Sequence, residues 1–407
     1  MEFQRYDEFA PGNRIHYGGA VISQEEVDVI LGAIEEGNGR NWTIGRRGEA
    51  FESTLSSYIG DGYTYTLLVN SGSSALLLAL QGLNLPKGSI VALPATTFPT
   101  AFNAIVQAGC IPLLIDTDPG SFNLMIDEVR KIGKRYAGKL KAILAVAIAG
   151  NIPNMDQLRE LANFYGVPLI LDNCDGFGGT WKGQPVERFA DIACTSFHAA
   201  HIISMGEGGA VFTSNYDWAI RMRQYRDWGR EGASDEPSSN PHVPAGYPQR
   251  YSYEVMGYNL KPLELQAAMG LVQFGKLQHF KQERTNNFRY LAATFEQYPA
   301  HFRVISFEPE ADPCWFSFPL FVYNGKRQEF AAYLESKNIE TRPIFAGNIA
   351  RHRSVEYAVY KKIGALPYAD TVMEGGLFIS VSPRNSQAAY EYIKQCVDEY
   401  VANNPTS

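Results

Sequence analysis

Short apolar runs recur through the middle of the chain, and most are followed by stretches with helical spacing. The runs are 66–69, 89–93, 111–115, 142–147, 168–171, 190–196 and 209–213, and the helical stretches include 74–83, 100–107 and 155–164. Short runs that stay apolar predict strands buried on both faces. Strands alternating with helices predict a mostly parallel sheet covered by helices on both sides. Ahead of this region, 24–36 has an amphipathic helical period that starts after Ser23, a good capping residue, and 51–59 predicts a second helix. The stretch 38–45 between them is turn-rich. A polar stretch, 229–250, carries Gly, Pro and Ser and predicts a long loop or flap. Helical spacing resumes at Pro262 and predicts one long helix to about Glu296. From about Pro299 to Asn404, short strands at 341–343 and 377–381 precede a closing helix over 388–402. The expectation is an α/β protein in two parts. A large domain, residues 1–275, holds a mostly parallel seven-stranded sheet, and a small α+β domain spans 276–407.

Length and composition change this picture little. With 407 residues the chain exceeds what one compact core usually holds. A net charge of −7 argues against a nucleic-acid or anionic membrane surface. No run approaches the ~20 apolar residues of a membrane span. Residues 1–14 mix acids and polar groups without an apolar centre, unlike a signal peptide. The five cysteines, Cys110, Cys174, Cys194, Cys314 and Cys396, are scattered and form no C-x-x-C pair. They suggest neither a zinc site nor a disulfide framework, and read as free thiols in a reducing compartment. A soluble cytoplasmic enzyme is expected.

Three constellations carry chemistry. The first, Asn70-Ser-Gly-Ser-Ser-Ala75, lies between a strand and an apolar helix. Glycine and small hydroxyl residues at a helix start make an anion site, because free backbone N–H groups and the helix dipole face the anion. Taken alone, it also reads as a simple serine cap. The second is Ile170-Leu-Asp-Asn-Cys-Asp175, followed by Gly176-Phe-Gly-Gly179. It puts Asp172 at the carboxyl end of an apolar strand, the edge where ligands bind in open α/β sheets. A carboxylate there can keep a pyridinium nitrogen protonated. Alone, it is equally an acid capping the next turn. The third is Thr195-Ser-Phe-His-Ala-Ala-His201, running into Gly206-Glu-Gly-Gly209. His198 and His201 are three apart, but no further ligand is spaced to complete a metal site.

In order and spacing these pieces resemble the sugar aminotransferase family named after DegT, DnrJ and StrS. The resemblance runs from about Gly19 to Arg384. It includes Val91-Ala-Leu-Pro-Ala-Thr-Thr-Phe98, Gly257-Tyr-Asn-Leu-Lys261 with Gln266-Ala-Ala268, and Leu377-Phe-Ile-Ser380. It implies an aspartate-aminotransferase-like fold (PLP fold type I) and pyridoxal phosphate (PLP) as cofactor. By the same resemblance Gly72, Ser73 and Ser196 bind the cofactor phosphate, Phe98 stacks on the ring and Asp172 pairs with the ring nitrogen. Asp175 stands where the family usually has a glutamine near the ring hydroxyl. Asn259 resembles the residue that reaches the phosphate of a neighbouring subunit, which implies a homodimer with shared sites.

One residue departs from the pattern. Transaminating members carry Ser-Phe-His-x-x-Lys, and here the sixth position is His201. An imidazole cannot form the Schiff base with PLP, but it moves protons near neutral pH. The cofactor would be held without a covalent link and could sit as its amine form, pyridoxamine phosphate (PMP). Histidine at this place resembles the sugar 3-dehydratase branch of the family. So do Pro11-Gly-Asn-Arg-Ile-His-Tyr-Gly-Gly19, Gly150-Asn151, Asp172-Asn-Cys-Asp175, Trp315-Phe316 and Thr341-Arg-Pro-Ile-Phe-Ala-Gly-Asn348. One kind within the branch acts on a CDP-linked sugar and holds a [2Fe–2S] cluster. Another acts on a GDP-linked sugar without one. The loop 229–253 has none of the cysteines that the cluster would need there. The resemblance therefore implies removal of the C3 hydroxyl from a nucleotide-linked 4-keto-6-deoxyhexose, with His201 and Asp172 catalytic. PMP would be regenerated from an amino donor such as glutamate. Arg342, Arg351 and Trp315 are candidates for holding substrate or donor. The competing readings are a PMP-dependent sugar aminotransferase, a dehydratase of another ketone in natural-product synthesis, and an inactive cofactor-binding relative.

Overall fold

The computed structural model of the chain describes residues 9–10, 12–40, 42–60, 65–132, 136 and 138–405. The expectations that fall on residues 1–8, Pro11 and Asn41 lie outside them. Each predicted apolar run is a strand: β1 (Tyr65–Val69), β2 (Ile90–Pro94), β3 (Ile111–Ile115), β4 (Leu140–Val146), β5 (Leu169–Asp172) and, after the small hairpin β6 (Thr180–Trp181) and β7 (Gln184–Pro185), β8 (Ile192–Ser196) and β9 (Gly209–Thr213). The C-terminal part adds β10 (Phe302–Val304), β11 (Ala311–Asp312), β12 (Ser317–Val322), β13 (Arg342–Pro343), β14 (Lys361–Lys362) and β15 (Gly376–Ser380).

The large sheet runs in the order β1-β9-β8-β5-β4-β2-β3-β14. Its centre, β8 through β3, is parallel, whereas β9 is antiparallel to both β8 and β1. It therefore has the seven expected strands and an eighth, β14, which pairs in parallel with β3. Two lysines give no apolar run, so no sequence signal marked β14 as a strand. Side chains alternate across the pleat. Leu67 and Val69 enter one core with Leu93, Leu144 and Ile170, while Leu68 enters the other with Ala92, Ile143 and Leu171. The first core continues into the four-stranded sheet β10-β12-β15-β13 through Phe318, Leu320, Leu377 and Ile379.

Helices α1 (Gln24–Gly37), α2 (Arg46–Ile59), α3 (Gly72–Gly82) and α4 (Pro99–Gln107) follow the expected spacing. Ser23 caps α1 as read from sequence, with the Ser23 N–H and Oγ both donating to Glu26 Oε2. The single helix expected after Pro262 is two, Glu264–Gly275 and Leu277–Phe295. The break lies at Lys276, whose N–H turns back to Gln273 and Phe274 while its Nζ reaches Ser23 and Glu26 on α1. A tertiary contact of this kind leaves no mark in local periodicity. Residues 229–253 are irregular apart from a 3-10 turn at Gln249–Tyr251, and are closed by the bridges Arg230–Tyr253 and Pro237–Pro248. Among the described residues no helix is long and apolar enough to cross a membrane.

Candidate functional site

Parallel strands aim their carboxyl ends at one edge of the sheet, and the three constellations meet there. Register pairs Val69 with Gly209, Ser196 with Gly209 and Asp172 with Cys194. The ends of β1, β8 and β5 are thus neighbours. A cavity of about 560 Å³ opens over them. Ser71, Gly72, Ser73 and Ser196 line one end, Phe98 a side, and Asp172, Asp175 and His201 the floor.

The serine end is shaped to take an anion. α3 begins at Gly72 with Ser71 as cap, whose Oγ accepts from Ser74 N–H. A methyl group at Gly72 would lie 2.7 Å from Ser196 Cβ and 2.8 Å from Cys174 Sγ, so only glycine lets the helix start approach Ser196. Gly72→Ala is expected to destabilise the protein by about 1–3 kcal/mol through overpacking. It should also weaken PLP binding, read by thermal denaturation and by fluorescence titration with PLP. Unchanged affinity would separate the helix start from the phosphate site.

The floor holds two buried carboxyls and an imidazole. Asp172 accepts from Cys174 N–H at 3.1 Å, and none of the ion pairs found among the described residues includes it. Burial pushes its carboxyl up. Asp175 Oδ2 accepts from Ala149 N–H at 3.0 Å, and Oδ1 lies 3.6 Å from His201 Nε2. Burial and the neighbouring Asp172 push Asp175 up to about 8. Burial and the adjacent His198 push His201 down to about 3. Arg284, only 1% exposed, donates to the backbone oxygens of Trp315, Phe316 and His201 and so fixes the loop that carries the imidazole.

The opposite shifts fix a proton count. Folded, Asp175 and His201 together hold one proton from about pH 3 to about pH 8. An unfolded chain, with ordinary values of about 3.9 and 6.5, holds none above about pH 6.5. Above that pH the folded state binds the extra proton. Stability of the cofactor-free protein should therefore fall between about pH 6.5 and 8, by at most about 2 kcal/mol. Asp175→Asn should remove that fall, as urea unfolding at the two pH values would show. Equal slopes in both proteins would mean the carboxyl is ionised throughout.

The remaining walls come from distant sequence. Tyr17, Phe316, Arg342, Phe345, His352 and Phe378 all line the cavity. Arg342 lies over the Tyr17 ring at 4.7 Å and pairs with Glu340. The other expected residues lie elsewhere. Trp315 is buried, stacked on Phe288 at 3.9 Å, while its neighbour Phe316 meets His201 edge-on at 5.3 Å. Arg351 is paired with Asp370 and does not line the cavity. Asn259 is exposed and also outside it. Tyr17 lies within a segment already singled out by its resemblance, but nothing local distinguished its ring from the rest. His352, whose Nε2 donates to Ala346 O at 2.7 Å, carried no signal beyond adjacency to Arg351.

This arrangement fits PLP. The serine end suits a phosphate. Phe98 is 53% exposed although it faces a cavity, which leaves a ring face to stack on. Asp172 is a buried acid lacking a cation, which a protonated ring nitrogen would supply. No lysine lines the cavity among the described residues.

Comparison with known proteins agrees. The sequence profile of the DegT/DnrJ/EryC1/StrS aminotransferase family matches residues 22–398. The lipopolysaccharide biosynthesis protein RfbH of Salmonella typhimurium is 33% identical, over 95% of this chain and 91% of its own length. The dTDP-4-dehydro-2,6-dideoxy-D-glucose 3-dehydratase of Saccharopolyspora spinosa is 32% identical, over 96% of this chain and 87% of its own. Among solved structures, the Escherichia coli GDP-4-keto-6-deoxy-D-mannose-3-dehydratase with bound hydrated PLP is similar in fold. Its TM-score is 0.85 at 23% identity, covering 94% of this chain and 99% of that one. From the helix-start serines to the closing helix, and in relatives matched along nearly their whole length, the chain belongs to the DegT/DnrJ/EryC1/StrS aminotransferase family.

Proposed function

We propose that the protein is a PLP/PMP-dependent 3-dehydratase of a nucleotide-linked 4-keto-6-deoxyhexose that works without an iron–sulfur cluster. The observation that carries this reading is the imidazole of His201 in the cavity beside Asp175, at the position that by sequence resemblance is the family's cofactor-binding lysine. A relative named as a sugar 3-dehydratase, 32% identical along nearly the whole chain, supports it. When bound, PMP supplies an amine for the substrate ketone and an electron sink conjugated to the reacting carbons.

The residues of the chain do the rest. Gly72, Ser73 and Ser196 would hold the cofactor's phosphate at the start of α3, Phe98 would cover the ring, and Asp172 would keep the ring nitrogen protonated. His201 removes a proton from carbon and returns one to the C3 hydroxyl, which leaves as water. One imidazole serves both steps if both atoms come within about 3 Å of it. Nε2 is the nitrogen available for this, because Nδ1 faces the Ser196 carbonyl at 3.3 Å. Arg342 lines the cavity and is the candidate for the carboxylate of an amino donor such as glutamate. Asn259, exposed and away from this cavity, would complete the phosphate site of a second copy in a homodimer with shared sites.

Two outcomes test the reading. Incubation with PMP and a nucleotide-linked 4-keto-6-deoxyhexose should yield, by mass spectrometry, a sugar lighter by one oxygen atom and carrying no nitrogen, with ammonia released as PMP becomes PLP. An amino sugar would overturn the dehydratase reading in favour of transamination. Glutamate with the PLP-loaded protein should yield 2-oxoglutarate in stoichiometric amount. Its absence would remove glutamate as donor.

A further inference from the structure

Asp175 lies three residues past Asp172, in the turn after β5, and is held at two points. Oδ2 takes the Ala149 N–H, and Oδ1 faces His201 Nε2 at 3.6 Å. The other imidazole nitrogen, Nδ1, is 3.3 Å from the Ser196 carbonyl oxygen. A carbonyl can only accept, so Nδ1 carries the hydrogen. In the neutral ring Nε2 is then bare and faces a carboxyl group. The other charged or titratable neighbours do not compete for it. The His198 ring is 5.8 Å away, Asp172 acts on Asp175, and Arg284 reaches only the His201 backbone oxygen. Among the described ion pairs, Asp175 is the one acid that His201 meets.

We propose that Asp175 is the proton partner of His201, sharing one proton between Oδ1 and Nε2 that the imidazole hands to the departing hydroxyl. The chemical use of this proton rests on the dehydratase reading, while the pairing belongs to the chain itself. The opposite displacement of the two groups agrees with a single shared proton. The count also closes over the elimination. One proton comes from carbon, whose bonding electrons stay behind. One goes to the C3 hydroxyl, which departs as water with the C–O electrons. The pair gives one proton and regains one, so no outside acid is consumed. Asp175 acts through His201 and is a positioning residue rather than a catalytic one.

Isotope-edited NMR of the histidine rings tests this in the cofactor-free protein, with His201→Asn identifying the signals. The expected result is a protonated Nδ1 throughout and an Nε2 resonance that shifts as Asp175 loses its proton, near about pH 8. In Asp175→Asn that step should be missing, since an amide has no such proton to lose. An identical Nε2 titration in both proteins, or a hydrogen on Nε2 with Nδ1 bare, overturns the pairing. Asp175→Ser, with the same two outcomes, serves if the amide variant does not fold. Wild-type protein is assayed in parallel for loss of the C3 oxygen from the keto sugar. The NMR step without turnover supports the pairing and sinks the dehydratase reading; turnover without the step overturns the pairing alone.

Discussion

On the proposed function, His201→Lys is expected to abolish dehydration and to turn position 201 into a covalent anchor for the cofactor. The size of the loss follows from the role. A positioned group that moves a proton contributes roughly 10²–10⁴-fold to a rate, and His201 is assigned both transfers. A lysine here would be tied up by the cofactor in the resting protein. Borohydride reduction followed by peptide mapping should find the cofactor attached to residue 201 in the variant and nowhere in the wild type. Dehydration at the wild-type rate by the lysine variant would remove His201 from the mechanism. So would a covalent adduct on any side chain of the wild type.

The second large effect is expected from Asp172→Asn. The acid is buried at the end of β5 and accepts one backbone N–H. An amide of equal size keeps the shape but cannot hold a ring nitrogen protonated. Losing one preorganised electrostatic partner typically costs about 10²–10³-fold in kcat. The same change should raise the melting temperature of the cofactor-free protein, because it removes a carboxyl whose ionisation burial opposes. Activity and stability thus move in opposite directions, as at sites whose groups are arranged for chemistry rather than for folding. A variant that lost stability and kept kcat would show that Asp172 is a turn cap and no more.

The large sheet was legible because its strands are buried on both faces. Runs such as 90–94 and 142–146 then stay apolar end to end, and the alternation of strands and helices placed Asp172 at the carboxyl edge. The family resemblance, added to this pattern, singled out Gly72, Ser73, Phe98, Asp172 and Ser196, all of which line the cavity. What sequence did not show depends on contacts between distant segments. Trp315 and Phe316 are adjacent, yet only the second faces the cavity, because the first finds Phe288 on the helix Leu277–Phe295. Arg342 and Arg351 are alike in type, but Asp370 engages the second. Tyr17 reaches the cavity because its segment lies along Ile339, through the bridge Ile15–Ile339 and the bond from Tyr17 N–H to Glu340. No local period encodes such a pairing.

Arg284 places a constraint on how the cavity can open. One guanidinium, sealed from solvent, strings together the backbone that carries His201 and the backbone that presents Phe316. Pulling either segment away would leave a buried cation without its oxygens, at a cost of several kcal/mol. The base and the aromatic wall beside it must therefore travel as one rigid piece. Admission of the proposed nucleotide sugar and release of its product have to come from yielding elsewhere on the rim. The wall formed by Phe345 and His352, on short turns and irregular chain after the strand Arg342–Pro343, is the side with freedom to give way.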